Sequence, residues 1–259
     1  MMFLIMHKSL NIFAAVTVTA LAFTLAIQPA SATIVTVPTG LNPGDTYYLA
    51  FVTAGTITGT STDIADYNNF AQSQAAGAGL NTISGSAVTW KAAVSTPTVS
   101  AVSNLGLGAF PIYLINDTQI ATSGSALWAG ALLNPVNVDQ NETVYGGGVA
   151  AWTGSLSTGL AYNPYQLGTA TPIIGAVSST SSTWMVVNAV NAANTQRVYA
   201  FSSPLIVPVP EPSSTAIVIA AVGSITGWRL RRWKEGRRHD DHRLTGGTIS
   251  PRRWPPSPS

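Results

Sequence analysis

The sequence predicts an α+β domain: one main helix among short strands and long loops, set between a removable N-terminal signal and a C-terminal membrane helix. Three observations carry this expectation. Short β-branched and aromatic runs recur through residues 33–206, bounded by Gly, Pro, Asn and Ser. One stretch alone, from Thr62 or Asp63 to about Ala76, has a cap followed by helical spacing. No period repeats, which argues against a solenoid or a propeller. An all-β sandwich is the alternative.

The chain opens with a signal peptide over 1–32. His7 and Lys8 precede the apolar stretch Ile12 to Ile27, and Ala30-Ser31-Ala32 is an A-x-A cleavage pattern with the cut after Ala32. The start is Met1 or Met6. The ectodomain, 33–206, then begins with a β-branched strand over Thr33 to Val37 and turn material to Asp45. Tyr47 to Val52 reads as a strand buried on both faces. Thr56, Thr58, Thr60 and Thr62 alternate, so on a strand their hydroxyls share one face. The helix follows, with Ile64, Tyr67, Phe70 or Ala71, and Gln74 or Ala75 on its inward stripe and Gly77 and Gly79 at its end.

Beyond Gly85 the pattern is β-rich and loop-rich. Strands are expected over Ala87 to Val94 with Trp90, Pro111 to Ile115, Gln119-Ile120, Val149 to Thr153 with Trp152, Trp184 to Val187, and Val198 to Ser202. Asn116-Asp117 makes a turn, and Ser125 to Ala131 is a short apolar stretch around Trp128.

The C-terminal end has a different character. Pro210 and Pro212 hold the linker 207–214 extended, because proline fixes φ and lacks an N–H. Residues 215–230 form an apolar run, and Ser213 or Ser214 can cap it as a helix. The uninterrupted run is short for a bilayer crossing of about 20 residues. Counting from Ser213 to Leu230, with arginine stems reaching back to the interface, brings it near that length. Trp228 and Trp233 stand where interfacial aromatics belong, and Arg229, Arg231 and Arg232 begin a basic tail, 231–259, expected to be disordered and cytoplasmic.

Composition narrows function. Residues 33–210 carry two cations, Lys91 and Arg197, against six anions, a net of −4. The basic excess of the whole chain, +2, therefore belongs to its tail, and the domain offers no footprint for nucleic acid. The chain has no cysteine, so the fold stands on core burial alone. Its three histidines, His7, His239 and His242, lie outside the domain. That removes the usual general base near neutral pH and the commonest zinc ligand.

Val209-Pro210-Glu211-Pro212-Ser213-Ser214, the apolar run and the arginines, together with an export signal, resemble the PEP-CTERM class of exported bacterial proteins. The resemblance implies export by the Sec machinery and recognition of the tail by an exosortase. Processing would fall near Pro210-Glu211-Pro212. It also implies passage through the inner membrane, transient anchoring there, and a final place at the cell surface or in an exopolysaccharide matrix. Members usually end soon after the basic cluster, whereas this chain runs on to Ser259.

A second resemblance covers most of 45–203. Leu49-Ala-Phe-Val-Thr53, Asp63-Ile-Ala-Asp66-Tyr67-Asn68, Trp90-Lys-Ala92, Leu127-Trp128-Ala-Gly130, Val149-Ala-Ala-Trp152-Thr-Gly154 and Arg197-Val-Tyr-Ala-Phe-Ser202 are similar, in order, to bacterial surface domains of a C-type-lectin-like or endostatin-like type. It implies a lectin-like ectodomain whose first and last strands pair. Cysteines that staple the loops in relatives are missing here.

Four candidate sites follow. Asp139-Gln-Asn-Glu142 gathers oxygen ligands on one loop, with Asp117 as a further contributor. Calcium is the ion such a set would hold, and a solvated loop holding no cofactor is the plainer reading. Trp128 and Trp152 are candidates for stacking on sugar rings, against the plainer reading of core residues. Asp63 and Asp66 suggest a hydrolase pair less well than a complement to the helix dipole. The threonine row suggests an ice-binding surface less well than an exposed edge strand. The expectation is a non-catalytic structural or adhesive surface protein carrying a sorting tail; the alternative is a carbohydrate-binding module.

Overall fold

The computed structural model describes residues 34–210. In chain order the strands are β1 (Thr46–Val52), β2 (Ile57–Thr58), β3 (Thr82–Ile83), β4 (Ser86–Ala87), β5 (Trp90–Ala92), β6 (Ile112–Leu114), β7 (Gln119–Ala121), β8 (Ala150–Trp152), β9 (Ile173–Ala176), β10 (Asn188–Ala189), β11 (Thr195–Ser202) and β12 (Leu205–Ile206). The helices are α1 (Ile64–Gly77), α2 (Ala101–Leu105) and α3 (Gly124–Leu127), with a single 3-10 turn at Ser182–Trp184.

This distribution overturns the α+β expectation. Among the described residues strands dominate, and ten of them join one mixed sheet in the order β10-β9-β8-β11-β1-β6-β7, with β2, β5 and β12 attached to its two central strands. It is not the alternative sandwich either, because the second sheet is only the β3-β4 hairpin. The physical reason lies in β1 and β11. Both are long, apolar and buried, so each has two hydrogen-bonding edges to fill, and short segments from distant loops fill them. The expected C-terminal membrane helix and N-terminal signal, with Ala30, Ala32, Glu211, Pro212, Arg229, Arg231 and Arg232, fall outside the described residues. Among the described residues no helix is long and apolar enough to cross a membrane.

Pairing explains the burial of the centre. β1 runs antiparallel to β11, with Ala50 opposite Phe201, and parallel to β6, with Tyr48 opposite Ile112. Every residue from Tyr47 to Val52 is buried. β11 meets β8 in parallel near Val198 and β5 in antiparallel near Phe201. The early strand β1 and the late strand β11 thus meet mid-sheet.

Helix α1 is built from its sequence signals. Asp63 accepts the Ala65 N–H at 2.9 Å as the N-cap. Tyr67, Ala71 and Ala75 form the buried stripe. Two of its polar residues serve the sheet. Asn68 Oδ1 accepts the Ala92 N–H, and Gln72 Oε1 accepts the Trp90 N–H, so helix amides close the outer edge of β5. Asn104 of α2 exchanges amide hydrogen bonds with Asn68 and donates to the Ala92 carbonyl, tying two helices to one strand.

Several expected strands are absent. Thr33 to Val37 forms no ladder in its described part: the Val35 N–H reaches the Ile115 carbonyl, but the Thr36 carbonyl takes the Tyr47 hydroxyl instead of a strand partner. Ala87 to Val94 is divided between β4 and β5. Trp184 to Val187 begins in the 3-10 turn, because Ser179, Ser181 and Thr183 bond to one another and cap it locally.

Candidate functional site

The C-terminal end of β1 meets the loop 138–145. The Val52 N–H donates to the Val138 carbonyl, and the Ala54 N–H to Gln140 Oε1 at 2.8 Å. Gln140 Nε2 then donates to Gln74 Oε1, which also accepts the Gly55 N–H. Arg197, on β11, reaches the same place: Nη1 donates to the carbonyls of Thr53 and Ala54. Its guanidinium lies 4.0 Å from the centre of the Tyr145 ring. The Tyr145 hydroxyl donates to Asp139 Oδ2 at 2.7 Å.

Asp139 is the centre of this cluster, and only 1% of it is exposed. Its Oδ1 accepts the N–H groups of Asn141 and Thr143, at 2.8 and 2.9 Å. Three donors on two oxygens make it the organiser of its own loop. Burial first, then the hydrogen bond to Asp139 and its charge, push the Tyr145 phenol above its ordinary pKa, with Arg197 opposing. Glu142 sits at φ +65°, and its Oε2 is buried without a hydrogen-bond partner.

Asp117 does not join this loop. Its carboxylate accepts the Thr39 N–H at 2.8 Å and the Thr39 hydroxyl, pinning the N-terminal segment to the β6-β7 turn. Among the described residues no three His, Cys, Asp or Glu side chains gather as metal ligands. Asp139→Ala is expected to lower stability by about 2–3 kcal/mol, because it strands two N–H groups and a phenol. Urea unfolding measures this. Calcium and chelator are expected to leave the wild-type midpoint where it is; a calcium-dependent rise would restore the metal reading.

The tryptophans divide. Trp152 is fully buried, and its Nε1 donates to the Ile57 carbonyl at 2.8 Å. Its ring is part of the core, so it has no face for a sugar, which corrects its place among the stacking candidates. Trp90 and Trp184 are buried as well. Trp128 is the one tryptophan of the described residues that keeps a half-buried position. It stacks on Trp184 at 5.8 Å between ring centres. A Cβ at Gly159 would stand 2.8–3.0 Å from three consecutive atoms of its six-membered ring, which puts that backbone over the ring face.

Asp63 is the α1 cap, and Asp66 accepts the Ser61 hydroxyl at 2.6 Å, so neither carboxylate is paired across a cleft. The threonine row is broken, since β2 holds only Ile57 and Thr58 and Gly59 packs against Trp152 and Pro172. Arg197 and Gln74 were not legible as neighbours of the Asp139 loop, because α1, the 138–145 loop and β11 are far apart in sequence, and Tyr145 lies just past the tetrapeptide that was singled out. The only hint was that Arg197 is the sole arginine of the domain. Comparison of the sequence with protein-family models gives no match, and neither does comparison with curated proteins.

Proposed function

We propose that the chain is an exported bacterial surface or matrix protein with a structural or adhesive, non-catalytic ectodomain, sorted by its Pro210-Glu211-Pro212 tail. Its partners are the Sec machinery, an exosortase and the surrounding exopolysaccharide. The observation that carries the non-catalytic reading is the use made of the carboxylates. Five of the six carboxylates of the described residues, Asp45, Asp63, Asp66, Asp117 and Asp139, accept hydrogen bonds from backbone or hydroxyl groups of their own surroundings, and Glu142 is the exception with its unpartnered Oε2. Groups so engaged hold turns and caps; a general acid or base needs a free oxygen facing substrate. The sorting reading rests on the tail sequence.

Mass spectrometry of the protein from its native host, fraction by fraction, tests this. The expected species begins at Thr33 and ends near Glu211, in the surface or extracellular fraction. A species keeping Arg229 to Ser259 in the inner membrane would make the tail a permanent anchor and overturn processing. Glycan binding is a second reading, favoured by the partial exposure of Trp128, whose ring lies against Gly159, the neighbour in sequence of the exposed Leu160. A glycan array with wild type and Trp128→Ala decides it: binding lost in the variant supports a module, and no binding by either removes it.

A further inference from the structure

We propose that the end of the sheet from which the chain leaves is a lipid-facing surface that rests on the membrane interface while the tail is inserted. The inference rests on the membrane-inserted tail proposed above.

The geometry starts from β12. Thr46 of β1 pairs with Ile206, and Tyr47 with Leu205. The Val207 carbonyl then accepts the Gly44 N–H, and the Val207 N–H donates to the Asp45 carbonyl. The fold therefore grips the chain through Val207. Because β6 is parallel to β1, the residues just before it, Phe110 and Pro111, lie at this same end. Two hollows flank the exit. One, of about 310 Å³, is walled by Tyr47, Ile83, Leu205, Ile206, Val207 and Val209, among others. The other, of about 410 Å³, lies between Leu41, Thr46, Phe110 and Pro111.

The surface between them is apolar. Ile206 is 63% exposed, Val209 66% and Phe110 40%, three of the eight large apolar side chains exposed in the described residues. Pro204, Pro208 and Pro210 are exposed beside them. Asp45 is the one charged residue lining either hollow, and its carboxylate accepts the Asn42 N–H. Exposed apolar side chains and prolines gathered around one chain exit, with a single charged group among them, need a cover.

The chain itself says which cover. Only the seven residues Pro208 to Ser214 separate the last gripped residue from the apolar run, and fully extended they span at most about 25 Å. An inserted tail thus holds this rim beside the headgroups, where exposed Ile, Val and Phe partition favourably. No Lys or Arg lines either hollow, and Lys91, which lines a neighbouring hollow with Pro204, gives its Nζ to the Asn104 carbonyl, so the contact is expected to survive salt and neutral headgroups.

The absence of native cysteine makes the test clean. The full chain is placed in neutral phosphatidylcholine vesicles as single-cysteine variants carrying an environment-sensitive fluorophore, with lipids quenching at known depths. Ile206→Cys and Phe110→Cys report the rim, Val144→Cys and Leu160→Cys report exposed apolar positions elsewhere, and Ala220→Cys reports the tail. About a twofold loss of fluorescence with shallow quenchers is expected at 206 and 110, none at 144 and 160, and deep quenching at 220. Deep quenching at 220 with no quenching at 206 and 110 would overturn this inference and leave the tail reading standing. No quenching at 220 would overturn the tail reading, and this inference with it. Quenching at the rim only when the vesicles also hold the processing protease would assign the face to that protein and overturn the lipid contact.

Discussion

Gly175→Ala is expected to lower the melting temperature by about 10 °C or more, or to leave the chain insoluble, because the added methyl has nowhere to go. Gly175 lies on β9, opposite Ala151 of β8. A Cβ there would stand 1.8 Å from the Trp184 carbonyl oxygen, 2.6 Å from its carbon and 3.0 Å from Met185 Cα. All three are backbone atoms, so no side chain can swing aside. Relief requires moving either the strand or the 3-10 turn.

Neither moves alone. The Trp184 ring packs 5.4 Å from Tyr199 and 5.8 Å from Trp128, and its carbonyl accepts the Tyr199 hydroxyl at 3.0 Å. The Met185 carbonyl accepts the buried Thr153 hydroxyl at 2.6 Å. Overpacking typically costs about 1–3 kcal/mol, and a clash against fixed backbone falls at or above the upper end. A domain with about 5–15 kcal/mol in hand feels that loss strongly. Gly77→Ala is the control: it ends α1 with nothing within 4 Å of an added Cβ, and the exchange is expected to be neutral or to stabilise slightly. Thermal unfolding of the two variants side by side measures the contrast, and equal melting temperatures would refute the close approach.

This glycine also shows where sequence reading stops. Asp63, Tyr67, Ala71 and Ala75 announce α1 because a cap and a periodic stripe are local signals, and the helix forms where they stand. Tyr47 to Val52 announces β1 because six consecutive residues of that kind have no amphipathic alternative. β9 was not anticipated at all: Ile173-Ile-Gly-Ala176 is short, contains glycine and follows a proline, each a signal against a strand. It forms because β8 offers an edge and the Trp184 turn needs a neighbour without a side chain. The fold class failed for the same reason. Two-residue strands such as β2 and β12 exist through pairing with partners far along the chain, and no short window of sequence contains both halves. At the candidate site, Asp139 and Glu142 were legible as a polar loop, whereas the donors that fill Asp139 include backbone N–H groups, which sequence does not display.

Above pH 10 the domain is expected to lose stability steeply, and Tyr199→Phe is expected to remove much of that loss. Burial alone raises the Tyr199 phenol far above its ordinary value of 10.0. Burial also pushes Tyr47 and Tyr67 up to about 12, with the charge of Asp66 adding to the rise at Tyr67. In each case the native pKa lies above the unfolded one. Below pH 10 both states hold the proton and the contribution to stability is whole. Above it the unfolded chain ionises alone, so unfolding releases a proton and becomes easier as pH rises. For Tyr199 the slope is about 1.4 kcal/mol per pH unit, and it continues past pH 12. Tyr47 and Tyr67 add less, because their hydroxyls lie nearer solvent, and their contribution is lost as pH passes 12. Tyr199→Phe gives up the hydrogen bond to the Trp184 carbonyl, which costs about 1 kcal/mol at neutral pH. It also removes the ionisable group. The variant is therefore expected to be less stable than wild type at pH 7, and the two urea midpoints are expected to converge as pH rises above 10. Midpoints that stay parallel up to pH 12 would mean that the Tyr199 hydroxyl reaches water in the native state, and the aromatic layer of Trp128, Trp184 and Tyr199 would be looser than its packing implies.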